Sequence, residues 1–186
     1  MARYHEENKD LILKKAYAYN KEIGEKMKTL PLGDVVQYYY DLIEEITEIS
    51  GMNDAITCKA GCGFCCHAEI PVNSFEAIYI KEIISGLDID KDALLIQLAA
   101  DTYNDLDFKK RRCVLLDSDN KCTIYKNRPL VCRSHNSIEV KEYCNRVEYP
   151  TRKLNRAYSV DIEAIQIAFG MVSNNKSTEL HKILNK

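Results

Sequence analysis

The chain has 186 residues, of which 46% are hydrophobic and 29% are charged, and its formal net charge is −2. These values are typical of a soluble globular protein that buries a hydrophobic core, and they predict one domain over residues 1–186. The near-neutral charge excludes a global field that would recruit nucleic acid or an anionic membrane. No run of about 18 apolar residues and no signal core is present, so we expect a cytoplasmic protein.

Helical periodicity dominates the N-terminal part of the chain. Apolar residues spaced by three or four predict helices over 9–28 and 35–49, with a break at Pro31 and Gly33 and an N-cap at Asp34. The predicted inward residues are Ile12, Ala16, Tyr19, Ile23 and Met27, then Val35, Tyr39, Leu42, Ile46 and Ile49. We interpret such stripes as core packing and not as a cofactor site.

Capping signals predict two helices in the middle of the chain. Asn73 and Glu76 form the pattern of a capping box for a helix over 74–85, and Asp90 is the expected N-cap of a helix over 91–106. The predicted inward residues of the latter helix are Leu94, Leu95, Leu98 and Leu106.

The second half of the chain begins with a predicted hairpin. Apolar residues at 114–116 and 123–125 flank a polar turn, which favours two short antiparallel strands. Residues 126–156 are irregular, and helical spacing returns over 157–172 and 177–184.

The elements together predict a mainly α fold. We expect a single helical domain with a cysteine-rich irregular region over about 55–146 and one short β-hairpin. N-terminal helices over 9–49 and C-terminal helices over 157–184 flank that region.

Eight cysteines carry the chemistry of this sequence. A reducing cytoplasm disfavours disulfides, so this count indicates metal ligation. Four of the cysteines lie within nine residues, with the spacing C-x3-C-x2-C-C: Cys58, Cys62, Cys65 and Cys66. Gly61 and Gly63 give the backbone the freedom that converging sulfurs need.

The second cysteine group is more widely spaced. It comprises Cys113, Cys122, Cys132 and Cys144. Eight thiols would fill two four-cysteine zinc sites, or one cubane cluster with four thiols left over. Adjacent Cys65 and Cys66 point in different directions, so Cys66 serves a second centre or none. A hairpin starting at Cys113 and Cys122 would hold them about 10 Å apart, so either they serve different centres or the hairpin is wrong.

Three known cysteine patterns are comparable. A zinc ribbon needs two C-x2-C knuckles, and only Cys62–Cys65 fits. Phe64 gives the first cluster the aromatic position of a radical SAM motif, but the chain lacks the alternating strands and helices of those barrels. The stretch from Cys122 to Arg133, C-x-I-Y-x-x-R-P-x-x-C-R, resembles the YkgJ-type cysteine-cluster family, to which zinc or iron chelation is ascribed.

The YkgJ-type resemblance covers roughly residues 55–146. It implies that all eight cysteines are candidate ligands of zinc or of an iron–sulfur cluster. A related cysteine cluster occurs in flagellin lysine-N-methylases, which look like iron–sulfur proteins that use S-adenosylmethionine.

Charged residues near the cysteines have a predicted supporting role. Four thiolates around Zn²⁺ carry a net charge of −2, and Arg128 and Arg133 are our candidates for offsetting it, with surface ion pairs as the alternative. His67 follows the double cysteine and His135 lies three residues beyond Cys132. Imidazole is a good zinc ligand, but eight thiols compete for the metal, so we favour hydrogen-bonding or surface histidines over ligands.

The sequence leaves three functions open. The favoured one is a metal-binding protein with a structural or metal-handling role. The alternative is an iron–sulfur enzyme or redox protein, including methyl transfer related to protein lysine methylation. The third is an adaptor in which metal is only a scaffold and the basic run 109–112 binds a partner. We expect a metal ion and leave a protein partner open, whereas nucleic acid is the least favoured partner and a membrane is not expected.

Overall fold

The fold is mainly helical, as predicted. The computed structural model describes residues 2–145, 148–149 and 151–185, so residue 146, the predicted end of the cysteine region, lies outside the described residues. The helices are α1 (Ala2–Lys26), α2 (Leu32–Ile49), α3 (Met52–Ala55), α4 (Ser74–Ile84), α5 (Lys91–Ala99), α6 (Leu130–Arg133), α7 (Val160–Val172) and α8 (Leu180–Ile183). Short 3-10 turns cover Cys65–His67, Tyr103–Asp105, Phe108–Arg111, Tyr125–Asn127 and Lys141–Cys144. None of the helices in the described ranges combines the length and the hydropathy that a membrane-spanning segment needs.

The first two helices form close to where the apolar spacing predicts them. Met27 and Ile49 were predicted to point inward but are exposed, because Met27 follows the last residue of α1 and Ile49 is the last residue of α2. α2 begins at Leu32, since the fixed φ of Pro31 suits the residue before a first helical turn. Asp34 is therefore not the N-cap. It lies inside the first turn of α2, where the positive end of the helix dipole stabilises its carboxylate.

Both predicted caps in the middle of the chain are confirmed. The side chain of Asn73 accepts from the N–H of Glu76 at 2.9 Å, and that of Asp90 accepts from the N–H of Ala93 at 2.9 Å. α5 nevertheless ends at Ala99 and not at 106, because the next residues are rich in Asp, Thr and Asn, which favour turns over helix interiors. Leu95, predicted to point inward, is 61% exposed.

The predicted hairpin over 114–125 is wrong apart from its turn. Leu116 and Cys122 form one isolated antiparallel bridge. The N–H of Leu116 donates to the carbonyl of Cys113 at 3.0 Å, so residues 113–116 form a turn and not an extended strand. The strands of the described residues lie elsewhere: β1 (Pro71–Asn73) pairs antiparallel with β2 (Ser177–Glu179), where a helix was predicted.

The buried core has two main parts that meet along α4. The first packs α2, α4 and α7 together around the fully buried rings of Tyr39, Tyr40 and Phe169. The second packs the opposite side of α4 against β1, α5 and α8, and Cys113 and Cys122 lie at its border. α1 packs along α7 through a smaller apolar cluster. One helix thus connects the helical core to the cysteine-bearing segments.

Candidate metal centre

A tightly turned loop presents the first four cysteines. Gly61 adopts φ +88°, which L side chains rarely adopt, and this explains the glycine in the motif. The N–H of Cys62 donates to the carbonyl of Lys59 at 2.9 Å, which closes one turn, and the 3-10 turn Cys65–His67 follows directly. The loop therefore reverses within a few residues, as its C-x3-C-x2-C-C spacing requires.

Backbone hydrogen bonds bring the later cysteines to both ends of this loop. The N–H of Cys113 donates to the carbonyl of Cys66 at 2.8 Å. At the other end, the N–H of Thr57 donates to the carbonyl of Ser137 at 2.8 Å, and its hydroxyl donates to the same oxygen at 3.1 Å. Segments distant in sequence are thereby fixed beside the loop.

All eight cysteines line one cavity of about 300 Å³. These residues are Cys58, Cys62, Cys65, Cys66, Cys113, Cys122, Cys132 and Cys144. None of the eight forms a disulfide, and as whole residues all but Cys144 are partly exposed. The thiols surround the cavity without meeting at a point, since no three His, Cys, Asp or Glu side chains of the described residues converge as metal ligands. Because Zn–S bonds are about 2.3 Å long, coordination would require the thiols to rotate inward.

Burial raises the pKa of most of these thiols further above neutral pH. It raises the pKa of Cys58 and of Cys113 to about 11, and it raises the pKa of Cys132 well above the ordinary value. The cause in each case is loss of hydration, which disfavours the thiolate. Metal uptake must therefore displace protons, so affinity should fall as the pH falls.

Backbone N–H groups point at several of the sulfurs. At three cysteines the donor lies two residues further along the chain: Phe64 for Cys62, Leu115 for Cys113 and Ile124 for Cys122. At Cys58, the donor is the N–H of Ser137, 3.4 Å from the sulfur. Such bonds favour the charged sulfur and lower its pKa against burial. The donor set therefore fits a metal–thiolate centre.

Cys65 differs from the other cysteines. Its side-chain hydrogen bond with Cys66 is the main cause of a lowered pKa, and the guanidinium groups of Arg156 and Arg128 lower it further. The same bond raises the pKa of Cys66, which keeps its proton. Cys65 is thus the thiol that most readily becomes a thiolate in this cavity.

Two arginines stand beside Cys65. Arg128, a sequence-predicted candidate, lines the cavity while donating to the carbonyl of Tyr125 at 2.8 Å and to the carboxylate of Glu44 at 3.2 Å. Arg156 also lines the cavity, and its buried Nε has no hydrogen-bond partner within the described ranges. Sequence analysis missed Arg156 because it lies beyond the cysteine motif and reaches the site through a β-bridge with Ser137.

Arg133 is engaged mainly with the helical core. Its guanidinium forms an ion pair with Glu44 of α2 and lies 4.1 Å from the ring centroid of Tyr40. Its Nε donates to the carbonyl of Arg128 at 3.1 Å. These contacts hold the segment before Cys132 against α2, so Arg133 positions a cysteine-bearing turn.

Glu76 provides a second connection of this kind. Its buried carboxyl group accepts from the hydroxyl of Tyr40 and from the N–H of Leu130, at the start of α6. Burial raises its pKa to about 7, against these two hydrogen bonds and the charge of Arg133. Because α6 carries Cys132, the carboxyl group connects the core to the cysteine cavity.

The histidines and the basic run contact segments around the cavity, and His135 is among the residues that line it. The Nδ1 of His67 lies 3.0 Å from the carbonyl oxygen of Gly63, and its ring stacks on Phe108 at 3.9 Å. The carbonyl of His135 accepts from the Cys58 thiol at 3.0 Å. Within the run 109–112, the guanidinium of Arg112 donates to the carbonyl of Leu116 at 3.1 Å.

Comparison with known proteins identifies this region. Residues 57–150 match the CxxCxxCC family, described as "Putative zinc- or iron-chelating domain". The chain belongs to this family. The match spans all eight cysteines and confirms the YkgJ-type resemblance of the C-x-I-Y-x-x-R-P-x-x-C-R stretch. No curated protein and no solved structure matched the chain.

Proposed function

We propose that this protein holds zinc or iron through its eight cysteines, in a structural or metal-handling role. One observation carries the proposal: cysteines spread over residues 58–144 all line the same cavity. Inert structural thiols would have no reason to share one cavity, whereas metal ligands must. The backbone N–H groups directed at the sulfurs support the same interpretation.

The residues around the cavity would stabilise a bound metal in two ways. Four thiolates on Zn²⁺, or on a [4Fe-4S]²⁺ cluster, carry a net charge of −2, which costs free energy away from water. Arg128 and Arg156 supply positive charge beside Cys65. Zinc and iron–sulfur clusters both accept thiolates, so metal identity depends on supply in the cell as well as on the ligands.

We place the protein in the cytoplasm. Eight free cysteines stay reduced there, whereas an oxidising compartment would favour disulfides.

Elemental analysis and an absorption spectrum of protein purified without oxygen test the proposal. Zinc without a visible band would support a chelating or structural role. Iron with sulfide and a broad band near about 400 nm, as thiolate-bound clusters give, would support an iron–sulfur protein and call for a test of S-adenosylmethionine binding. A reduced chain that takes up neither metal would contradict the proposal.

A matched pair of variants within one turn tests the cysteine ligands. Cys65→Ser should lose tightly bound metal, because it removes the thiol that most readily ionises. His67→Ala should keep metal, since its ring contacts Gly63 and Phe108 and does not line the cavity. Wild-type metal content in Cys65→Ser would exclude this cysteine from the site.

A further inference from the structure

We infer that the cavity also binds a small organic molecule with an oxyanion head group, a carboxylate or a phosphate, and that Arg156 holds this head group. The organic molecule and the metal compete for the cavity. The competition rests on the proposed metal binding, whereas the site at Arg156 does not depend on it.

Three arginines line the cavity, and two of them already have partners in the protein. Arg128 donates to the carbonyl of Tyr125 at 2.8 Å and to the carboxylate of Glu44 at 3.2 Å. Arg133 forms an ion pair with the same carboxylate and donates to the carbonyl of Arg128 at 3.1 Å. The donors of these two arginines therefore stabilise the wall of the cavity.

Arg156, the third arginine, has no such partner. Its Nε is buried, and among the residues that the structure describes its guanidinium forms neither a hydrogen bond nor an ion pair. The charge of Arg156 acts on the carboxyl group of Glu163 in α7, but that residue does not line the cavity. A buried guanidinium without an acceptor costs free energy, and water can satisfy its N–H groups without balancing its charge. An oxyanion in the cavity would do both.

Backbone contacts fix the place of Arg156 on the cavity wall. The residue pairs with Ser137 in an antiparallel bridge, and the N–H of the next residue, Ala157, donates to the carbonyl of Asn136 at 2.8 Å. The charge of the guanidinium acts on Cys65, which places it on the side of the wall that carries the thiols. A donor that is already held in place binds a ligand without first having to be ordered.

The rest of the wall favours an organic ligand over a bare inorganic ion. The volume of about 300 Å³ lies at the lower end of the range for small-molecule sites. Besides the thiols, the lining includes the apolar residues Ile70, Leu115, Leu116, Ile124, Val131 and Leu180. An apolar body attached to the head group would remove these side chains from water, which an inorganic ion cannot do. A guanidinium binds a carboxylate and a phosphate through the same pair of N–H groups, so both head groups suit Arg156.

The organic ligand and the metal should weaken each other's binding. Metal coordination requires the thiols to rotate inward, which takes up space in the cavity. A four-thiolate centre of net charge −2 also attracts the guanidinium that would hold the oxyanion. Because such coupling is reciprocal, each ligand should lower the affinity for the other by the same factor. A metal-handling protein could release its metal in this way when an organic anion accumulates.

Calorimetric titration of the reduced full chain after chelator treatment tests the site at Arg156. The probes are benzoate, phenyl phosphate and benzyl alcohol, which share an aromatic ring and differ in the head group. At least one of the two anions should bind about 10-fold or more tightly than the alcohol, because hydrogen bonds between charged groups are stronger than neutral ones. Comparison of benzoate with phenyl phosphate identifies the preferred head group. Equal or weaker binding of both anions relative to benzyl alcohol would overturn the inference.

A matched pair of arginine variants locates the anion. Arg156→Gln should remove the preference for the anion and leave the binding of benzyl alcohol unchanged. Arg152→Gln loses the same charge but should keep the preference, because Arg152 pairs with Glu139 at 2.8 Å and does not line the cavity. Equal loss in both variants would contradict a site at Arg156. Circular dichroism checks folding, and Arg156→Lys, which keeps the charge without the planar fork and should bind the anion more weakly, replaces Arg156→Gln if that variant does not fold.

Zinc titration against a competing chelator tests the competition. A saturating concentration of the preferred anion should lower the zinc affinity of the wild type about 5-fold or more, within the usual range of coupling between two ligands. The anion should have no such effect on Arg156→Gln, which also controls for chelation of zinc by the anion in solution. A wild-type zinc affinity that the anion does not change would contradict binding in the cavity. A chain that binds no zinc would contradict the proposed function, while the Arg156→Gln comparison would still decide the anion site.

Discussion

The helical core and the cysteine cavity differ in how closely their side chains pack. The core around α2, α4 and α7 buries Tyr39, Tyr40 and Phe169 completely, at the close packing expected of a protein interior. The cavity keeps about 300 Å³ between eight thiols and is framed by loops and single turns. Packed apolar side chains stabilise the core, whereas the thiols around the cavity make few packing contacts with one another. We therefore expect metal to stabilise one region far more than the other.

Metal removal should have the largest effect and should destabilise the cysteine segments more than the helical core. A chelator under reducing conditions should accelerate amide hydrogen exchange around Cys113–Cys122 and Ser137, while α7 stays protected, because metal binding is coupled to folding of the ligand segments. The expected loss of local stability is several kcal/mol. Exchange mass spectrometry of both forms measures it, and equal acceleration in α7 would show that the regions are not independent.

Phe169→Ala should have the converse effect. Deleting this fully buried ring should lower the free energy of unfolding by about 3–5 kcal/mol, from lost burial and the cavity left behind. Urea denaturation measures it, with Tyr17→Ala, at a 65% exposed aromatic, as the control. The metal content of the folded variant should stay at the wild-type value, and a loss of metal would show that the core shapes the cavity directly.

Glu76→Gln probes the connection between the two regions. The pKa of Glu76 is raised from 4.5 to about 7 in the folded protein. As the pH rises, Glu76 therefore loses its proton at a lower pH in the unfolded chain than in the folded protein. This residue should therefore lower the free energy of unfolding as the pH rises from about 4.5 to about 7, by up to about 3.5 kcal/mol at about 1.4 kcal/mol per pKa unit.

The variant should remove that pH dependence. Denaturation of the wild type and Glu76→Gln at several pH values gives the difference, in which groups common to both cancel. A difference that does not change with pH would mean that Glu76 keeps an ordinary pKa, despite its buried contacts with Tyr40 and Leu130.

Arg156→Gln should produce the smallest of these effects, confined to the cavity. Removing a cation beside Cys65 should weaken metal binding about 10- to 100-fold, as changes to groups that support metal ligands do. Competition with a chelator measures the affinity. Arg152→Gln is the control, because its guanidinium pairs with Glu139 at 2.8 Å and does not line the cavity. Equal weakening in both variants would refute a local role for Arg156.

Sequence reasoning succeeded where the signal is local. The caps at Asn73 and Asp90 need only the residues of one turn, and both are confirmed. It failed at 114–116, where an apolar run forms only one isolated bridge, and at 177–179, where pairing with β1 makes a strand of residues predicted to be helical. β1 and β2 are far apart in the chain, so no local pattern could have shown their pairing.

Residue type and spacing were enough to predict the mainly α class, the family and the set of cysteines that this family implies as ligands. They could not show that all eight cysteines line one cavity, that Arg156 joins Arg128 beside Cys65, or that Arg133 and Glu76 connect the cavity to the core. These contacts join residues that are far apart in the chain. They depend on which segments pack together, and spacing along the sequence does not encode that.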